Sequence, residues 1–352
     1  MKKGNKKFDK YKGNGLTGLQ NLGNTCFLNS TLQCLSHTYE LNEFLSDEDI
    51  NYKNILNKKP DSIILLEWDK LRQLIWSENC KISPLGFVKN IQKIANIKER
   101  AIFTGWAQND LPEFLIFLID CFHNSIQRKV EMNIKGISFN NTDKLAVRCF
   151  KMIKEMYSED YSEILSIFYG THVSKILDDN NNVLSLKPEP YFMIDLPIPE
   201  INYANGGIDL DACFRAYTAP ERLSGENAWF NEETNKKQDV DKKLSFWDFP
   251  KILIISFRRF NNRMMKNNKL IDFPLENINL SKYVEGYNKK SFVYDVYGVC
   301  NHSGGTSGGH YTAYVKNANN EWYLFNDMDV IKVTDLSDIV STKSYCLFLR
   351  KR

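Results

Sequence analysis

Residues 18–35 read GLQNLGNTCFLNSTLQCL, and the spacing inside this stretch decides how the rest of the chain is read. Leu28, Leu32 and Leu35 recur at i, i+4 and i+7 behind Asn24 and Thr25, two residues suited to helix capping. The stretch therefore predicts a helix that begins near Cys26. Its first turn carries a thiol at the positive end of a helix dipole, where thiolate is favoured. Eight cysteines (Cys26, Cys34, Cys80, Cys121, Cys149, Cys213, Cys300 and Cys346) are spread over 352 residues, with no C-x-x-C pair and no Cys/His spacing of the zinc kind. The chain is long enough to bury a large core, and Met1 to Lys12 has no apolar stretch behind its charges. The thiols are therefore expected to be reduced and intracellular, most of them buried packing residues and one a candidate nucleophile.

Outward from this helix, the texture is helical to about residue 165. Ile63 to Trp76, a segment from Ser83-Pro84 to Ile94, and Leu111 to Ile126 with Pro112 in its first turn all read as helices. From about residue 166 short apolar runs alternate with Asn, Gly and Pro, and Ser224 to Lys243 is a polar, exposed excursion. Strands are predicted at Lys251 to Phe260, Phe292 to Val299, His310 to Val315, Glu321 to Phe325 and Tyr345 to Leu349. Helices first and consecutive strands later indicate an α+β fold with an antiparallel sheet in the C-terminal half. Residues 1–15 read as a flexible basic tail and 16–352 as one domain. A net charge of +3, from 46 basic and 43 acidic residues, gives no nucleic-acid footprint. The longest apolar runs, Ile63 to Leu66 and Ile252 to Ile255, are too short to span a membrane.

Of the five histidines, His37, His123 and His172 fit structural roles, His37 as a cation near a helix end. His302 and His310 flank a glycine-dense loop, and His310 opens a strand. If the chain folds back about Asn317 to Asn320, opposed residues sum to about 637, which places His310 opposite Asp327 and diagonal to Asn326. Either side chain can fix an imidazole's tautomer. Cys26 is then the thiol best placed to be activated.

Four stretches resemble the ubiquitin-specific proteases, in family order from about residue 16 to 349. They are the cysteine box quoted above; HSGGTSGGHYTAY at His302 to Tyr314 with WYLFND at Trp322 to Asp327; QNDLPEFL at Gln108 to Leu115; and Leu253 to Phe260, ending in Arg-Phe. The resemblance implies a papain-like fold with a helical thumb (about 16–165), β-rich fingers (about 166–250) and a sheet palm (about 251–352). It implies Cys26 as nucleophile, His310 as general base and then acid, Asn326 as the residue orienting the imidazole with Asp327 supporting, and Asn21 in the oxyanion hole. Gln108, Asp110, Glu113, Gly309 and Tyr311 would bind substrate, and the glycine loop would gate the channel.

The implied activity is thiol-dependent hydrolysis after the C-terminal glycine of ubiquitin, through a thioester and without a cofactor. Ubiquitin and ubiquitinated proteins are the implied partners, with no nucleic acid or membrane, for a monomer in the cytoplasm or nucleus. An inactive ubiquitin-binding adaptor and a protease for another ubiquitin-like modifier are the alternatives. The sequence departs from the family pattern where many members bind zinc: Leu177 to Asn182 and Ala228 to Glu233 lack cysteine, so the fingers are expected to hold without metal. Pro112 also replaces a polar residue before Glu113.

Overall fold

A computed structural model describes residues 6–100, 103–105, 107–200, 208–232, 234–305 and 308–352. The helix expected at Cys26 is α1 (Cys26–Ser36), and all of its residues are buried. A helix this enclosed must satisfy its polar side chains internally. Ser30 and Thr31 do so by donating to carbonyls one turn back, and Gln33 Nε2 donates to the Thr17 carbonyl at 2.8 Å.

The core around α1 is shared by α2 (Tyr39–Leu45), α3 (Ser62–Ser77), α4 (Leu85–Ile97), α5 (Leu111–Ile126) and α7 (Glu163–Phe168), whereas α6 (Asn141–Tyr157) packs in a separate small cluster with Val173 and Trp247, and α8 (Leu210–Thr218) lies later in the chain. The α6 helix has no counterpart among the helices read from the sequence. It opens with a capping box in which Asn140 and Asp143 bond each other's backbone N–H groups, and it buries only Leu145, Ala146 and Cys149, so its apolar stripe is thin.

The strands labelled here are β1 (Gly170–Leu177), β2 (Val183–Tyr191), β3 (Met193–Leu196), β4 (Val240–Asp248), β5 (Ile252–Phe257), β6 (Val293–Gly305), β7 (Gly308–Lys316), β8 (Trp322–Asn326), β9 (Asp329–Lys332) and β10 (Ser344–Lys351). The larger sheet runs in the order β9-β8-β7-β6-β10-β5-β3. It is antiparallel, as expected for the C-terminal half, with β3 added parallel to β5 at its edge. On β5, Ile252 and Ile254 join the core containing α1, while Leu253, Ile255 and Phe257 join a second core on the opposite face. Burial on both faces is why this strand reads as an unbroken apolar run.

A second sheet, β2-β1-β4 with the short strand Glu221–Leu223, forms the β-rich middle region. Its β1–β2 turn is held by Asp178, whose side chain accepts from the N–H groups of Asn180 and Asn182, while Arg222 pairs with Asp179 at 2.7 Å. Among the described residues no cluster of His, Cys, Asp and Glu has a metal-holding arrangement, and no helix is long and apolar enough to cross a membrane.

The flexible-tail expectation is corrected for residues 8–15; Met1 to Asn5 lie outside the described residues. Tyr11 is buried, stacks on Tyr39 at 4.6 Å and donates to Glu43, and Gly13 N–H donates to Asn317. An aromatic anchor outweighs a polar composition there. His37 is corrected as well. It is fully buried, its Nδ1 lies 3.0 Å from the Gln33 carbonyl, and burial lowers its pKa to about 4, so it is neutral rather than a dipole-paired cation.

Candidate active site

The N-terminus of α1 is left open. Thr25 occupies the capping position but makes no cap bond; its hydroxyl instead accepts from the Leu22 N–H at 2.9 Å. Asn21 Oδ1 accepts from the N–H groups of Gly23 and Thr25, and its Nδ2 donates to Asp327 Oδ2 at 3.0 Å. The loop before Cys26 is therefore shaped by one amide, and the first backbone N–H groups of the helix remain available to an anion. Gly18 permits this arrangement because a Cβ there would lie 2.1 Å from the Met328 carbonyl. That close approach lets Leu19 N–H donate to the Asp327 carbonyl.

Strand β7 packs against α1 and brings the histidine segment to the thiol. The backbone N–H of Tyr311 lies against the Cys26 sulfur. Burial pushes the Cys26 thiol up from its ordinary value, the Tyr311 and Phe27 N–H groups oppose this, and the Asp327 carboxylate reinforces it. The thiolate expected from the helix dipole alone is thus reversed: desolvation is the larger effect.

His310, adjacent to Tyr311 in the chain, has its Nε2 2.7 Å from Asn326 Oδ1. With Nε2–H spent on that oxygen, Nδ1 is the nitrogen able to take a proton.

The register explains why Asn326 and not Asp327 faces the imidazole. Ala313 pairs with Phe325 and Lys316 with Trp322, so opposed residues sum to 638 rather than 637. A shift of one place moves every side chain to the other face. Asn326 shares the face of His310, while Asp327, at φ 51°, turns to the loop before α1. There Asp327 Oδ1 accepts from Asn29 Nδ2 at 2.7 Å and Oδ2 from Asn21, so the supporting contact to His310 is corrected. Asn29 escaped the sequence reading, although its place three residues after Cys26 puts it on the same helix face.

Gln108 spans the cleft. Its Oε1 accepts from Gly309 N–H at 2.8 Å and its Nε2 donates to Gly309 O at 3.0 Å. Gly309 admits no side chain, since a Cβ would lie 2.2 Å from His302 Nε2. Asp110 at the start of α5 accepts from the hydroxyls of Tyr311 (3.2 Å) and Tyr345 (2.8 Å). Asp110 is exposed to solvent, yet the protein gathered around it raises its carboxyl, an effect the two hydroxyls oppose.

The side chain of Tyr311 is 7% exposed and committed to Asp110, so its expected direct substrate contact is corrected to a role in positioning. Glu113 is exposed on the first turn of α5. Gly304, Gly305, Gly308 and Gly309 are described, whereas Thr306 and Ser307 of the gate expectation lie outside the described residues.

His302 is 4% exposed, packs on Tyr311 at 4.6 Å and meets Lys266 Nζ at 3.0 Å from its Nδ1. Burial, with the Lys266 charge, lowers its pKa to about 4. His37 and His302 are thus held below their unfolded value near 6.5, so the folded state binds fewer protons between about pH 6.5 and 4. Stability is full above that window and falls as pH drops through it. His37 alone is expected to remove roughly 3 kcal/mol across the window. Urea unfolding at pH 7, 5.5 and 4.5 checks this, and the pH slope should flatten in His37→Gln.

A thiol at an open helix end, beside an imidazole oriented by an amide on a facing sheet, is the arrangement of the papain-like cysteine hydrolases. Residues 17–349 match the model of the ubiquitin carboxyl-terminal hydrolase family, and the chain belongs to that family. It is 33% identical over 347 residues to ubiquitin carboxyl-terminal hydrolase 2 of Bos taurus, covering 95% of this chain and 55% of that protein. It is 34% identical over 343 residues to the protein of the same name from Gallus gallus, covering 95% and 93%. The chain spans about half the length of the bovine relative. Among solved structures, the SAGA Ubp8/Sgf11/Sus1/Sgf73 DUB module bound to ubiquitin aldehyde is similar with a TM-score of 0.69 and 22% identity, covering 97% of this chain and 70% of that chain. The family resemblance and the papain-like α+β fold read from the sequence are both borne out.

Proposed function

We propose that the chain is a thiol-dependent deubiquitinase that hydrolyses the isopeptide or peptide bond after the C-terminal glycine of ubiquitin. The observation that carries this reading is the pairing of His310 Nε2 with Asn326 Oδ1, His310 lying on β7, the strand that packs against the helix opened by Cys26. His310 Nδ1 takes the thiol proton as sulfur attacks the terminal carbonyl, then gives it to the departing amine. The resulting thioester is cleaved by a water that His310 deprotonates, and the proton returns to sulfur. The open N–H groups of α1 and the second Nδ2 proton of Asn21 stabilise the oxyanion. Asp110 and Glu113 present negative charge to the substrate tail, and the Gln108–Gly309 bridge must part to admit it.

The relatives' names and the ubiquitin aldehyde of the similar module support ubiquitin as partner. The setting is the cytoplasm or nucleus, and the working unit is a monomer. Reaction with ubiquitin bearing a C-terminal electrophile, followed by peptide mapping, tests the proposal. One adduct at Cys26 is expected; an adduct confined to another cysteine, or none in reducing buffer, would reject it.

A further inference from the structure

After β5 the chain makes a short hairpin in which Phe260 bridges Lys266 and Asn261 Oδ1 accepts from the N–H groups of Arg263 and Met265. Together with the segment after β3, this hairpin walls a groove of about 980 Å³. Among the described residues Arg258, Arg259, Arg263, Lys266 and Lys269 line it, against the one carboxylate of Glu200.

Among the described residues only Arg258 of these five has an acidic partner, Asp195 at 2.9 Å. Lys269 Nζ reaches the Glu200 main-chain oxygen, and Lys266 Nζ is held by the carbonyls of His302 and Gly304. Arg259 is 1% exposed and donates to the carbonyls of Ser344, Asn267 and Lys269, while its Nη2 has no hydrogen-bond partner. Lys343 adds a further positive charge that acts on Lys266.

A guanidinium enclosed by protein without a counter-charge is costly, and its field is weakly screened on the low-dielectric side. Cations gathered in a concave wall raise the local concentration of anions. The guanidinium of Arg263 and the ammonium of Lys269, at the rim, can meet oxyanion oxygens directly.

We propose that this groove binds a small multivalent phosphate compound, with Arg263 and Lys269 as its direct contacts and Arg259 supplying field from beneath. The size of the groove suits a small molecule rather than an extended chain, and phosphate geometry matches the guanidinium fork.

Isothermal titration of the full chain with inorganic tripolyphosphate tests this, with a tetraglutamate peptide of similar charge as comparator. One saturable site is expected for tripolyphosphate, at least tenfold tighter than for tetraglutamate, and weakened at least tenfold in Arg263→Ala/Lys269→Ala. Lys151→Ala/Lys154→Ala, which removes the same charge from α6, should bind as the parent does. Absence of saturation, equal affinity for the peptide, or equal losses in the two double variants would each overturn the proposal. The melting temperature of both variants separates local loss from unfolding; Arg263, Lys151 and Lys154 are exposed and Lys269 is half-buried.

Discussion

Replacing Cys26 by alanine is expected to lower kcat/KM on a ubiquitin C-terminal amide substrate by about 10⁴-fold or more, because loss of the attacking atom leaves only the oxyanion donors and binding to act. Affinity for ubiquitin, measured by titration with the uncleaved protein, should stay within about threefold. Six of the other seven thiols, Cys34, Cys121, Cys149, Cys213, Cys300 and Cys346, are buried, with Cys34 facing Cys300 at 3.5 Å inside the core, and Cys80 is half-buried. Burial holds the thiols of Cys149 and Cys213 up at about 12, which suppresses their thiolates further. Residual turnover within tenfold of the parent would mean that the sulfur beside Tyr311 is not the nucleophile. An inactive adaptor would show no difference between parent and variant, both being silent. The Cys26 site is 3% exposed, so truncating it by one sulfur should cost about 1 kcal/mol of stability at most.

This expectation also bears on how the thiol is activated. Burial raises the Cys26 thiol, so the thiolate is disfavoured before substrate binds and attack calls for a base; the bond from His310 Nε2 to Asn326 Oδ1 leaves Nδ1 for that role.

Much of this was legible in the chain because the informative residues are local. The i, i+4, i+7 leucines after Asn24–Thr25 place the start of α1 near Cys26, where it is found, and Leu111–Ile126 is the helix that Pro112 and its apolar spacing predict. Period alone could not separate Asn326 from Asp327, since one place in a guessed turn reverses the two faces. Here the observed register agrees with the resemblance. The bonds that span the molecule were invisible: Gln108 meets Gly309 across 201 residues, and Asp327 meets Asn29 across 298. Each of these joins a loop to another element through an amide, a residue type whose partner no spacing rule names. Burial was equally hidden at Tyr11, whose aromatic neighbours Tyr39 and Trp76 come from two separate helices.

Replacing Asp327 by alanine is expected to destabilise the protein by about 4 kcal/mol or more and to lower kcat by about 10²-fold, although Asp327 does not touch the imidazole. Its carboxylate receives amide hydrogen bonds from Asn21 and Asn29, and bonds to a charged acceptor contribute about 1.5–3 kcal/mol each. Alanine would also have to adopt the left-handed backbone at φ 51°, at a further cost of about 1 kcal/mol. Freed from Asp327, the Asn21 amide would no longer be aimed, and a misdirected oxyanion donor accounts for the expected fall in kcat. Asp327→Asn tolerates the same backbone and keeps one acceptor, so it should recover most of the stability.

Asn326→Ala should behave in the opposite way. Asn326 is exposed and at a strand end, so stability should stay within about 1 kcal/mol while kcat falls about 10- to 100-fold through a misoriented His310. A third readout separates the two residues. Because the Asp327 charge raises the Cys26 pKa, Asp327→Asn should speed alkylation of Cys26 by iodoacetamide at pH 8 even as turnover slows, whereas Asn326→Ala should not. Slower alkylation in Asp327→Asn, with unchanged melting temperature, would show that Asp327 acts on the imidazole instead of on the loop before α1.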